Sequence, residues 1–383
     1  PMGARKQLTF FKEPVKGCHP APEDACAIGF TYGFDRGGDE NIQFCFFDMD
    51  SGKSQMLTDG KSKNQSCTWN DDGSSVAFSS NARNGKTFDV WTLPFDDDAL
   101  KGHVKRTMVM QNETPGYHRI LHFYGQSLLV EHYVSVSNSS LYVTEASPGS
   151  VPRKIAPSSG EAAVSCAKFW IVGGKVLGVA YASNEGSDFM TLRYYDLESG
   201  KESTLFRGYV DDGTGDFDRE WDVEDVAVLG DTGLTVAVLN IDGASTFFRS
   251  SQGIPKNGPS NKFNKLDCGH SMGVAGGIEL VKKDGELMLG YSTYCATSPM
   301  DCYHVSFKVV NKDSTLCRPG KPVQWTEAEV GGLNTQNLVT PELIRYKSFD
   351  GLSIGAFVYR PKKRKHGKIP VIIHPHGGPE GQH

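Results

Sequence analysis

No stretch of these 383 residues approaches the roughly 20 consecutive apolar positions of a membrane-crossing helix, so a helical span is excluded. The opening residues, PMGARKQLTFFKEP, lack the apolar centre of a secretory signal, and Pro1 in place of methionine leads us to expect the natural start upstream. An excess of positive charge is also lacking. Lysine and arginine number 40 against 45 acidic residues, a net charge of −5. That leaves no basic footprint for nucleic acid and no polybasic surface for a membrane. The single basic run, Lys362-Lys363-Arg364-Lys365, stands between two apolar stretches and reads as a solvated turn between strands. No pair among the nine cysteines is spaced C-x-x-C. Cys295 and Cys302 lie close in sequence, but nothing forces a bridge, and the set reads as mostly buried thiols of a reducing, cytoplasmic compartment. The sequons at Asn64, Asn112 and Asn138 occur at about the rate of chance and weigh little against that location. Helical patterning is missing as well, since no segment before residue 340 sustains a 3.6-residue period with caps at both ends.

What is present is glycine, 43 residues of it, and short apolar runs such as SSVAFSS, DVWTL, KVLGVAYAS, LTVAVLN and ELMLGYS. Turn residues separate these runs, as they separate strands. The pattern repeats. FFDMDSGK at Phe46–Lys53 returns as YYDLESGK at Tyr194–Lys201, and AFSSN ending at Asn81 returns as AYASN ending at Asn184. Hairpin turns near Gly73, Gly174, Gly233 and Gly285 each lead into an apolar strand. These landmarks fall at multiples of roughly 50 residues, the period of a four-stranded propeller blade. The expectation is an all-β fold, a β-propeller of about seven blades over residues 1–340. Phe47, Trp69, Trp91 and Tyr195 are then inter-blade packing, not a ligand cage.

From Pro341 the character changes. Two strands, LIRYKSF and LSIGAFVYR, meet at Asp350-Gly351, and after the basic turn comes IPVIIH, a β-branched run suited to a strand buried on both faces. It feeds into His376-Gly377-Gly378-Pro379. A glycine-rich loop after an early strand lets a backbone N–H approach a developing oxyanion with no side chain in the way.

With HPHGGPEGQ, the entry ELIRYKSFDGLSIGAFVYRP, the WDVE stretch at Trp221–Glu224 and the repeats before them, the chain resembles the prolyl oligopeptidase family of serine peptidases. Its nearest likeness is to the acylaminoacyl-peptidase and dipeptidyl-peptidase-like branch. The resemblance implies a propeller lid, residues 1–340, followed by the first strands of an α/β-hydrolase domain, residues 341–383, cut short. It places His376, Gly377 and Gly378 in the oxyanion-hole loop, with the Gly378 N–H as donor. It implies short peptide substrates and no metal or organic cofactor. In the hydrolase order the serine elbow, aspartate and histidine all follow this loop, so the Ser-Asp-His triad is expected after His383 and the chain as given is expected to be inactive.

Two G-x-S-x-G spellings invite a different reading, at Ser271 and at Ser353. An elbow needs a strand, a strained turn and a helix. Ser271 follows a poor strand and precedes two glycines, while Ser353 is followed by an alternating strand, so neither is a nucleophile. His374 and His376 form an H-x-H with no third ligand after it, and a metal site is not expected. The acidic stretch Asp211–Asp225 lacks the glycine and spacing of a calcium loop. Within it Glu220, Asp222 and Glu224 are candidates to hold a substrate's amino terminus, as paired acids do in the dipeptidyl branch, against the plainer reading of an exposed blade loop. The rival to a peptidase is a non-catalytic propeller acting as an interaction scaffold, which would have no use for an oxyanion loop. Peptide specificity and oligomeric state stay open at this level.

Overall fold

The repeated turns fall where a four-stranded unit needs them. The computed structural model describes residues 6–208, 220–250, 261–269, 272–311, 314–362, 367, 369–375 and 377. Among these, six consecutive sheets of four antiparallel strands are formed, each strand pairing with the next in sequence. This meander is a propeller blade. The blades begin at Lys16, Asn64, Tyr117, Val164, Val223 and Val274, and the last gains a short fifth strand, Val323–Gln324. The described residues therefore form six blades, not about seven. The expectation divided all 340 residues by the period, whereas residues 6–15 and 325–341 belong to no blade.

The landmarks now have places. Gly73, Gly174, Gly233 and Gly285 all stand in the turn between a blade's first and second strands, each with a positive φ. The two SGK repeats are the third-to-fourth-strand turns of blades 1 and 4. In both, the aspartate caps the turn: Asp48 accepts from the Asp50 N–H and Ser51 Oγ, and Asp196 accepts from the N–H and Oγ of Ser199. Gly52 and Gly200 close them at φ 66° and 69°, where a side chain is disfavoured.

The chain falls into two compact units. The first, Ala4–Ser203, holds blades 1 to 3 and nearly all of blade 4. Blades 1 and 2 share a core in which Phe46, Trp69 and Phe95 meet edge to face at centroid distances of 4.6–6.0 Å. Blades 2 and 3 meet through Val90, Val109, Phe123 and Val130, and blades 3 and 4 through Leu129, Leu141, Phe169 and Val179. Each fully buried side chain of this size contributes about 1.5–3 kcal/mol. Trp69, Trp91 and Tyr195 are thus blade-to-blade packing. Phe47 differs, because strand alternation turns it to the other face of blade 1, against Phe30 and Leu8.

The second unit, Pro1–Gly3 with Thr204–His383, holds blades 5 and 6 around Val236, Phe247, Leu289, Val305 and Phe307. It also holds a two-stranded hairpin, Glu342–Lys347 with Ser353–Val358, turning at Asp350-Gly351 as expected. The apolar run after it departs from expectation. Residues 369–375 form no strand, and Val371, Ile372 and Ile373 are 80%, 93% and 85% exposed. A strand needs a neighbour to take its backbone hydrogen bonds, and none of the described residues supplies one. Among the described residues no helix is long and apolar enough to cross a membrane. Among the described residues eight cysteines form no disulfide, Cys295 and Cys302 included, and three of them, Cys45, Cys67 and Cys268, are buried, fewer than anticipated.

Candidate functional site

Every blade carries the same irregularity. The first strand of each has an extra residue relative to its neighbour: Gly17, Ser66-Cys67, Leu121, Cys166-Ala167, Glu224 and Gly276 in blades 1 to 6. Such β-bulges bend a strand and re-aim a side chain. Ser66 and Cys166 take the positive φ of 56° and 42° that the bulge imposes. In blade 5 the bulged residue is an acid.

Val223 faces Leu239 and Asp225 faces Val238, so Glu224 is the unpaired residue between them. Val223 and Val226 are buried, while Glu224 is turned outward and exposed. It receives a hydrogen bond from the side chain of Asn240, on the neighbouring strand. The residue keeps solvent contact, but partial desolvation is the largest influence on its carboxyl and raises the pKa. The Asn240 hydrogen bond opposes that shift, and the charges of Asp222 and Asp225 add to it. Asp222 is exposed and Glu220 half-buried, both in the segment entering the strand. Four acids, Glu220, Asp222, Glu224 and Asp225, therefore stand at the start of blade 5, and the charges of Asp222 and Asp225 reach Glu224. Sequence reasoning named three of them and missed Asn240, whose role depends on the register. The remainder of the acidic stretch, 211–219, lies outside the described residues.

The hairpin docks at that same end. Leu234–Ile241, which pairs with the Glu224 strand, ends one residue before Asp242, and Asp242 is ion-paired with Arg345 of the hairpin. The chain leading to the hairpin is itself fastened to blade 6. Thr326 Oγ1 donates to the buried Asp301 at 2.7 Å, and Trp325 Nε1 to His304 Nδ1. Glu224 and Arg345 of the hairpin thus lie at one end of blade 5.

Of the residues expected in an oxyanion loop, Gly377 is described, and a Cβ built on it would meet nothing within 4 Å. His376 and Gly378 lie outside the described residues, as does Ser271. Ser353 opens the second hairpin strand, opposite Lys347, with no helix behind it. Lys362 at the start of the basic run is exposed and donates to the Gln336 carbonyl, and 363–366 lie outside the described residues. Among the described residues no three His, Cys, Asp or Glu side chains are grouped to hold a metal ion. What the entrance offers chemically is recognition of a cation.

No family model matches the chain, and no curated protein sequence does either. Solved structures do match in fold. A puromycin hydrolase superposes with a TM-score of 0.60 at 13% identity, over 92% of this chain and 51% of its own length. Oligopeptidase B from Trypanosoma brucei gives 0.59 at 16% identity, over 92% and 46%. A prolyl endopeptidase gives 0.51 at 17% identity, over 92% and 55%. The chain spans about half the length of these structures. At such identities the likeness is one of fold.

Proposed function

We propose that this chain is the propeller and the propeller-to-hydrolase junction of a prolyl oligopeptidase-type serine peptidase that cleaves short peptides. The observation that carries the reading is the docking of the hairpin on blade 5, beside the acidic entrance, in a chain whose blades superpose on peptidase structures. In this reading residues 1–340 are the lid and 341–383 the start of the hydrolase domain. His376, Gly377 and Gly378 form the oxyanion loop. A backbone N–H there meets negative charge as it develops on the scissile carbonyl oxygen, and a Ser-Asp-His triad from later hydrolase sequence performs acyl transfer. Glu220, Asp222 and Glu224 receive the substrate's ammonium group, which favours peptides with a free amino terminus.

The test is to read the transcript past the codon for His383. A frame continuing into a strand, a G-x-S-x-G elbow and a helix, then an aspartate and a histidine, supports the peptidase. A stop codon at that point overturns it and leaves the propeller scaffold as the better account.

A further inference from the structure

Blade 3 turns a histidine toward each of its neighbours, His118 buried and His122 half-buried. His122, on the first strand Tyr117–Tyr124, faces blade 4. Its Nδ1 accepts the backbone N–H of Phe169 at 3.0 Å, and its ring lies 5.3 Å from the Phe169 ring. Phe169 belongs to Val164–Val172, the edge strand of blade 4, whose outward N–H groups have no strand to pair with. An unpaired edge N–H must find an acceptor. Here the acceptor is a ring nitrogen, and it accepts only while unprotonated.

His118, on the same strand, faces blade 2 and is 3% exposed. Its ring stands edge-on to His132 at 5.2 Å, and its Nδ1 is buried without a hydrogen-bond partner. His132 Nε2 lies 2.9 Å from the Pro115 carbonyl, which fixes the proton there. The acid nearest His118 is Asp89 of blade 2, but Arg83 binds it at 2.8 and 3.1 Å and the Asn112 N–H takes a third bond. Toward blade 4 the charged neighbour of His122 is Lys168, which repels a proton. The remaining pair on that face is Arg119 with Glu131, whose Oε1 is buried without a hydrogen-bond partner and whose carboxyl is raised in pKa, first by desolvation, with the Arg119 charge opposing.

We propose that blade 3 is a proton-gated element of the propeller, held to blades 2 and 4 at neutral pH and released from both when His118 and His122 take up protons. Burial is the largest cause holding both imidazoles neutral, His118 at about 4 and His122 at about 3. Once the seams open, each ring returns toward the ordinary value near 6.5. Opening therefore takes up protons. Seam stability is complete above about pH 6.5 and falls about tenfold per pH unit per histidine below it.

Hydrogen exchange of the full chain at pH 7.5 and 4.5, corrected for intrinsic rates, tests this. The strands Tyr117–Tyr124 and Val164–Val172 are expected to lose about a hundredfold in protection, well beyond the strands of blade 1. His122→Asn keeps an acceptor at the same place but does not titrate, and should remove most of the loss at Val164–Val172. Equal loss in all blades, or a loss unchanged in H122N, overturns the proposal. Should H122N fail to fold, the imidazole titrations of the unaltered chain decide, and ordinary values near 6.5 for both rings overturn it.

Discussion

Asp89 is fully buried and takes two hydrogen bonds from Arg83, Nε at 2.8 Å and Nη2 at 3.1 Å. The same guanidinium donates to the Asn112 carbonyl at 3.0 Å and to Thr87 Oγ1 at 2.8 Å, so one side chain ties a loop of blade 2 to the end of its last strand. Removing Arg83 leaves the Asp89 carboxylate buried without its cation, at about 3 kcal/mol, whereas Arg83 itself keeps solvent contact. Arg83→Ala should therefore lower stability by about 3 kcal/mol in urea unfolding. The double variant with Asp89→Ala should be little worse than either single one, since the two act as a unit. Additive losses would show that the pair is not coupled.

Two of the three sequons are structural parts. Asn64 and Asn112 are each 1% exposed. Asn64 Nδ2 donates to the carbonyls of Ile42 and Ser62 at 2.7 and 3.0 Å, and Asn112 Nδ2 to that of Gly116 at 3.0 Å. A glycan on either nitrogen would displace those bonds. Expressed through a secretory route, the folded chain should carry no glycan at either position, as mass spectrometry of its peptides would show. Asn64→Ala and Asn112→Ala should each cost about 1 kcal/mol through the loss of these hydrogen bonds. A glycan at Asn64 in folded protein would contradict the assignment.

The acidic entrance should bind ammonium groups in a pH-dependent way, if the proposed function holds. Only the carboxylate form of Glu224 attracts a cation, and its pKa is raised, first by desolvation. Affinity for a short peptide with a free amino terminus should thus be full at neutral pH. It should begin to fall at a higher pH than an ordinary carboxylate near 4.5 would give. Calorimetric titration against the N-acetylated peptide isolates the effect, and Glu224→Gln should abolish the difference. An unchanged preference in E224Q would remove Glu224 from the site.

The blades were legible because each repeats the same local chemistry. Asn81 and Asn184 show how closely: their side-chain oxygens accept the N–H of Lys63 and Ala163, both at 2.8 Å, clasping the start of the first strand in blades 2 and 4. A recurring AFSSN or AYASN reports that clasp directly. The blade number was misjudged because a period says nothing about how much chain lies outside the repeat. The bulges left little trace, since Ser66, Cys166 and Glu224 have no composition in common and the extra residue shows only in the register. For the same reason Glu224 could be named as a candidate from its charge, while its outward turn and its Asn240 partner could not. The apolar run at 369–375 read as a buried strand from its side chains alone, but burial depends on partners that the run itself does not contain.

Among the described residues the ion pair of Arg345 with Asp242 joins the hairpin to blade 5, and the attachment can be tested there. Arg345 reaches Asp242 at the tip of a turn, and a Cβ on Gly355 of the second hairpin strand would come within 3.9 Å of the same carboxylate. Asp242 has φ 54°, a conformation that aspartate and asparagine tolerate and alanine resists. Asp242→Asn is therefore the clean substitution, since it removes the charge and spares the turn. Both partners keep some solvent exposure, 36% and 23%, so the pair is worth at most about 1 kcal/mol. A loss of that size should raise tryptic cleavage at Arg345 and Lys347 about fivefold, while fragments from blade 5 stay intact. Arg345→Gln should give the same result, and the double variant no more than either. Cleavage unchanged in both single variants would mean that contacts other than this ion pair hold the hairpin to blade 5.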